Sequence, residues 1–404
     1  MTGPGAGPRV DELERRYLNC TFAELCRIES PSGRERACAE RVIAELRALE
    51  AETYEDGAAA ATGSDCGNLL ARIPGGRAGG PGEGGRRSLL LCAHLDTVPL
   101  LAPVEPELVD GFWENANEGV LGADNKAAVA VMLAVARHVH SRGAPVDLEL
   151  LFTIGEETAL AGARAFDATQ LRSGFGYVFD HASPIGEVVV DSPTHFRIEV
   201  ELRGAAAHAG IRPEQGRSAI LAAARAISAM ELGRLDERTT VNVGTIAGGT
   251  AMNVVPERCS FVAEVRAMDD ERAEEVVAAV VQRVHEAANR PECECDVDVG
   301  VQRMFAGFHL TPSRPAVRAA EGALRACGYE PVRISSGGAS DANELLVQGV
   351  EVVNLANGTE RNHEPGERVS VAALEGMLDV ALALLDAAAE EHAAAAGAEP
   401  GAAR

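Results

Sequence analysis

At 404 residues the chain is long for one hydrophobic core, so two domains are the default expectation. With 37 Lys and Arg against 61 Asp and Glu it carries a formal charge of -24, which repels phosphate backbones, argues against nucleic acid as a partner and favours divalent cations. Nine scattered cysteines fit no disulfide framework, Met1 to Pro8 has no apolar secretory core, and the apolar stretch from Ala127 to Ala136 is too short to span a bilayer, so the expectation is a soluble, cytoplasmic protein without a membrane partner.

Helical spacing of Leu13, Tyr17, Phe22 and Leu25 predicts a helix over 10–29, broken by Ser30–Pro31–Ser32–Gly33, and a second amphipathic helix is expected over 34–49. Residues 68–73 read as a short strand, and 74–87, almost all Gly, Arg and Pro, as a surface excursion with no assigned chemistry. Then comes SLLLCAHLDTVPL, 88–100. A run this apolar and this short reads as a strand buried on both faces, as in parallel sheets. Pro99 pushes Val98 into extended backbone, so no helix starts at once. His94 and Asp96 therefore sit at the carboxyl end of a strand, where open α/β sheets place their ligands.

The same construction recurs. A polar loop over 113–120 leads into GVLGADNKAAVAVMLAVARHVH, with Asp124 at a turn and a helix from Lys126 that is apolar nearly all round and hence buried. A strand over 148–154 ends in Gly155–Glu156–Glu157, one over 177–179 ends in Asp180, and one over 352–355 is followed by a polar loop that delivers His363. One acid at a strand end is ordinary turn chemistry. Four apolar strands each ending in His, Asp or Glu imply a common site.

Between the third and fourth of these strands the pattern changes. Phe196, Ile198, Val200 and Leu202 alternate with charged residues, the mark of a half-exposed strand, and helix, two strands, helix and strand follow. That β-α-β-β-α-β order predicts a ferredoxin-like unit with a four-stranded sheet, inserted over 191–303 between catalytic segments 1–190 and 304–391. The closing helix is expected to start at Ser370 as N-cap, and 392–404, an Ala/Gly tail, to fray.

Gathered at one rim, His94, Asp124, Glu156, Glu157, Asp180 and His363 carry four negative charges in a small volume, which requires a cation. Imidazole and carboxylate without thiolate suit Zn²⁺, with Mn²⁺ or Co²⁺ as replacements. Two such ions ~3.5–4 Å apart could share one carboxylate, activate a water and polarise a carbonyl. One of the adjacent glutamates can then bind metal while the other takes the proton from that water.

HLDTVP at His94, GADNKAA from Gly122, GEE at Gly155, GAAAHAG from Gly204, GTIAGGTAMNVVPE from Gly244 and SSGGASDAN from Ser335 resemble, in order, the two-zinc peptidases that include peptidase T, carboxypeptidase G and the aminoacylases. FDHASPIGEVVVDSPTHF from Phe179 resembles the peptidase T branch. The resemblance implies a zinc-exopeptidase-like α/β fold, a mixed or parallel sheet flanked by helices, with a ferredoxin-like lid and dimerisation domain. It implies two Zn²⁺ per subunit: His94 and Asp180 on one, Glu157 and His363 on the other, Asp124 bridging, and a cis peptide after Asp124. Asp96 would orient His94, and Glu156 would be the general base. His208 would reach across a homodimer interface to the oxyanion. Asn253 and Arg266 would grip substrate, aided by Ser336 and the backbone N–H groups of Gly337 and Gly338. The substrate implied is a short peptide cut as by a tripeptide aminopeptidase. A carboxypeptidase or a deacylase of N-acyl amino acids would use the same site, and a binding protein without turnover would keep the fold alone.

Overall fold

The computed structural model describes residues 10–76 and 88–398, so most of the Gly/Arg-rich excursion lies outside the described residues. The chain divides into two compact units. One comprises the residues up to Val190, Leu310–Ser335 and those from Ser340 onward; the other is Asp191–His309 with Ser336–Ala339.

The first unit is built on a mixed sheet that runs, side by side, Glu52–Glu55, Leu69–Ile73, Asp147–Thr153, Ser88–His94, Phe175–His181, Glu351–Ala356 and Glu187–Ser192. The four strands in the middle, from Asp147–Thr153 to Glu351–Ala356, are mutually parallel, and they are the four that end in candidate site residues. Antiparallel neighbours close both edges. Every residue of Ser88–His94 is buried, as its unbroken apolar run requires.

Helices cover this sheet. The long one, Ala123–Arg142, is buried at every position from Ala123 to Ala136. Each fully buried Val, Leu or Met there contributes about 1.5–3 kcal/mol of transfer free energy. The first helix is Glu12–Cys26, starting later than its periodicity suggests because Asp11 and Glu14 cap each other's backbone N–H groups at 3.0 and 2.9 Å. The closing helix, Val371–Ala398, is capped by Ser370 Oγ, which accepts from Ala373 N at 3.0 Å. It continues past His392, where fraying was expected: alanine is the strongest helix former, and the His392 ring lies 5.4 Å from that of Phe175.

The segment expected as a polar loop over 113–120 holds a strand instead. Phe112–Asn115 pairs with Pro106–Val109 on one side and Arg368–Ser370 on the other, in a small antiparallel sheet completed by Thr359–Glu360. Asp110 and Gly111, with φ of 49° and 85°, form the two-residue turn that joins the hairpin. This sheet anchors both ends of the turn that carries His363.

The second unit is an antiparallel sheet in the order Gly233–Asp236, Thr239–Gly248, Arg258–Ala267, Thr194–Arg203, Asp296–Phe305. Helices Ala219–Ala229 and Asp270–Ala288 bury Ile198, Val200 and Leu202 on one face, with Cys293 and Cys295 in the same core. The connectivity is ferredoxin-like, but five strands are present rather than four, because Gly233–Asp236 folds back as an extra edge. The unit also extends beyond Arg303, since Phe308 and His309 pair with Ser192 and Asp191.

Candidate metal centre and active site

The parallel strands point their carboxyl ends the same way, and sequence positions far apart meet there. His94 closes its strand, Asp180 stands one residue before the end of Phe175–His181, and Glu156–Thr158 forms a short 3-10 turn after Asp147–Thr153. Gly155, at φ 57°, makes the bend into that turn. Asp124 sits in the first turn of the long helix, where Asp124 and Asn125 have non-helical backbone and the peptide between them is cis. His363 lies in the turn from Glu360 to Arg368, at φ 66°.

The distances divide these side chains into two sets joined by one carboxylate. His94 Nε2 lies 3.1 Å from Asp124 Oδ1 and 3.6 Å from Asp180 Oδ1. His363 Nε2 lies 3.3 Å from Asp124 Oδ2 and 2.8 Å from Glu157 Oε1. Glu156 joins the first set: ligand atoms of His94, Glu156 and Asp180 fall within 4.8 Å of one another, as do those of His94, Asp124 and Glu157.

The electrostatics follow from crowding acids out of water. Burial pushes the Glu156 and Asp180 carboxyls well above the usual range, and Asp180 acting on Glu156, and Asp124 on Asp180, push further. Asp124 goes the other way: burial alone would raise it, but hydrogen bonds from His363 and His94 hold it far below. Hydrogen bonds to Asp124 and Glu157 lift His363 to about 10. Two imidazoles and four carboxylates, with no thiolate among the six, are a donor set that fits divalent cations, and the buried like charges need that counter-charge.

A layer of buried groups fixes these donors. Asp96 is fully buried; its backbone carbonyl lies 2.9 Å from His94 Nδ1, and its carboxylate accepts from Ser32 Oγ at 2.7 Å and from the N–H groups of Glu156 and Glu157 at 3.0 and 3.2 Å. One residue thus orients both His94, through its carbonyl with its carboxylate 3.3 Å away, and the two glutamates, through its carboxylate. Asn354 brackets Asp180, accepting from its N–H at 2.9 Å and donating to its carbonyl at 3.1 Å. Asn362 Nδ2 donates to Asp124 Oδ2 at 2.9 Å. Glu367 accepts from the N–H groups of Leu121, Gly122 and Asp124, each at 2.8 Å. Asp341 accepts from Thr153 Oγ1, and burial lifts its carboxyl to about 6. Sequence reasoning singled out none of Asn354, Asn362, Glu367 or Asp341. Only Asp341 lay inside a quoted motif, SSGGASDAN.

The remaining sequence-derived residues belong to the second unit. His208 is exposed, and its Nδ1 accepts from Gly210 N at 3.2 Å. Next to it, Ala209 N donates to the Asn253 carbonyl at 2.9 Å, so the His208 and Asn253 loops run side by side. Arg266 donates to the Gly337 carbonyl at 3.1 Å, contacts Glu264 at 3.3 Å and lies over the Phe305 ring at 5.9 Å. Ser336 is buried and its Oγ accepts from Gly338 N at 3.1 Å. The Gly338 N–H thus bonds within its own turn.

Comparison with known proteins gives a consistent pattern. Residues 68–183 match the model of peptidase family M28, and residues 194–291 match that of a peptidase dimerisation domain. The chain is 31% identical to the uncharacterized protein YqjE of Bacillus subtilis over 93% of this chain and 99% of that protein. Among solved structures it resembles aminopeptidase PepT from Bacillus cereus, with 33% identity, a TM-score of 0.84 and coverage of 93% of this chain and 99% of that one. It also resembles a tripeptidase from Staphylococcus aureus, with 31% identity, a TM-score of 0.87 and the same coverage.

Proposed function

The chain belongs to the co-catalytic metallopeptidase family that includes peptidase T, and from that premise we propose that it is a tripeptide aminopeptidase, cutting the amide bond after the first residue of a short peptide. The observation that carries this reading is Asp124, whose two oxygens each face a histidine–carboxylate set, with Glu156 beside one of them. In this reading His94, Asp180 and Asp124 would hold one Zn²⁺, and Glu157, His363 and Asp124 a second, with Co²⁺ or Mn²⁺ as replacements. Bound there, the pair supplies Lewis acidity for the scissile carbonyl and lowers the pKa of water.

The chain's own groups do the rest. The Asp96 carbonyl takes the Nδ1–H of His94, which leaves the Nε2 lone pair facing the site. The Glu156 carboxylate takes the proton of the attacking water and returns it to the leaving amine nitrogen as the C–N bond breaks. His208 donates to the developing oxyanion across a homodimer interface, and Arg266 and Asn253, with Ser336 and Gly337, grip the peptide's polar end. The match to a peptidase dimerisation domain supports the homodimer. A cytoplasmic setting is supported by nine cysteines with no disulfide among them, and among the described residues no helix is long and apolar enough to cross a membrane.

A three-substrate panel tests the specificity. The zinc-loaded enzyme is given a tripeptide, the matching dipeptide and an N-acetylated amino acid, and the products are identified. Release of the N-terminal residue from the tripeptide is expected. Release of the C-terminal residue would make it a carboxypeptidase, turnover of the acetylated compound alone a deacylase, and binding without turnover of any substrate would reject the enzyme reading.

A further inference from the structure

We infer that Glu367 is a positioning residue for the metal pair: it presets the separation of Asp124 and His363 before any ion arrives. The inference rests on the metal-site reading above. Leu121 and Gly122 precede the long helix and Asp124 lies in its first turn, where backbone N–H groups have no intrahelical acceptor. These groups are buried, and each needs an acceptor. Glu367, 1% exposed, provides all three bonds at 2.8 Å: Oε2 takes Leu121 and Gly122, and Oε1 takes Asp124.

Glu367 also closes the turn that presents His363. Within it Glu364 N donates to the Arg361 carbonyl at 3.2 Å and Glu367 N to the Glu364 carbonyl at 3.1 Å. From the same turn Asn362 Nδ2 reaches Asp124 Oδ2 at 2.9 Å and His363 Nε2 approaches it at 3.3 Å. The carboxylate of Glu367 therefore grips the backbone of Asp124 while its own backbone holds the neighbours of His363. Two ligands 239 positions apart in sequence (363 minus 124) are set against one another by this one side chain.

The acceptor pattern makes an isosteric test sharp. In Glu367→Gln the amide supplies one acceptor oxygen and one N–H₂, so at least one of the three backbone donors faces another donor. Protein stripped with a chelator is titrated with Co²⁺ and followed by visible absorption, wild type beside Glu367→Gln, with circular dichroism of both metal-free forms. Wild type is expected to take two Co²⁺ per subunit, and the variant to bind ~10–100-fold more weakly with altered bands while keeping the metal-free spectrum. Equal affinity and identical bands in the variant would overturn the role of Glu367. A wild type that takes no pair of ions would instead overturn the metal-site reading.

Should the variant fail to fold, hydrogen exchange in the metal-free wild type decides the matter. The amides of Leu121, Gly122 and Asp124 are expected to exchange slowly already. Fast exchange there that slows only when Co²⁺ is added would show that the ions, not Glu367, order the loop, and would overturn the inference.

Discussion

Asp124 turns one carboxylate oxygen to His94, at 3.1 Å, and the other to His363, at 3.3 Å. No other acid of the site faces both histidines at such distances. Loss of this group should therefore undo both halves of the centre at once. Asp124→Ala is expected to lose both metal ions on dialysis, whereas Glu157→Ala should retain the one held by His94 and Asp180. Metal content by mass spectrometry after gel filtration distinguishes the two variants, and equal retention would deny the bridge.

Glu156 stands apart from the bridge and is assigned the proton. Glu156→Gln should keep metal content near wild type while kcat falls at least ~10²-fold, the usual worth of a general base. Near-normal turnover would remove Glu156 from that role.

Chelation tests stability as well as activity. A protein holding ions at 100 times their Kd gains about 2.7 kcal/mol per independent site from binding. Treatment with a chelator should abolish activity and lower Tm, and Zn²⁺, Co²⁺ or Mn²⁺ should restore both. An unchanged Tm across the series would mean that the five ligands do not hold ions tightly.

His208 is exposed in the second unit, and the proposed reading has it act on the partner subunit's site. Mixing His208→Ala subunits with Glu156→Gln subunits should recover activity, because a hybrid dimer contains one site with both groups intact. Absence of recovery, with exchange of subunits verified by size or label, would place the histidine within its own chain or out of the reaction.

The turn that presents Glu156 and Glu157 is tightly backed. A Cβ on Gly162 would meet the Ile154 carbonyl oxygen at 2.1 Å and Asn68 Oδ1 at 2.6 Å. Backbone cannot yield as a flexible side chain can, so Gly162→Ala is expected to cost about 1–3 kcal/mol or more and to lower kcat through the displaced glutamates. Urea unfolding together with kcat checks both, and wild-type values in each would show that the contact relaxes freely.

Much of this was legible because the site strands are so apolar. Ser88–His94 and Asp147–Thr153 could hardly be anything but central strands, and their polar endings then stood out. The inserted unit was legible for the opposite reason, its alternation of apolar and charged residues. What escaped were residues whose role is set by contact rather than pattern. Glu367 lies in EPGERV, where a glutamate looks solvated; only the fold shows it buried under the Asp124 loop. Asn354 sits within an apolar run and gives no sign that it brackets Asp180. The small sheet was missed although Asp110–Gly111 is a strong hairpin turn, because the flanking strands are short and half-exposed. The last helix persists because its alanines extend a helix already begun, although an Ala and Gly mixture looks like a tail in sequence.

Trp113 is the sole tryptophan in the chain, and it lies in that small sheet. It stands opposite Val369, its indole N–H donates to Asn19 Oδ1 at 2.9 Å, and its ring meets that of Phe22 edge-on at 6.1 Å. A single indole two strand positions from the residue that closes the His363 turn is a built-in optical reporter. Its emission should record loading and stripping of the centre in real time, on the unlabelled protein, with no background from a second fluorophore of its kind.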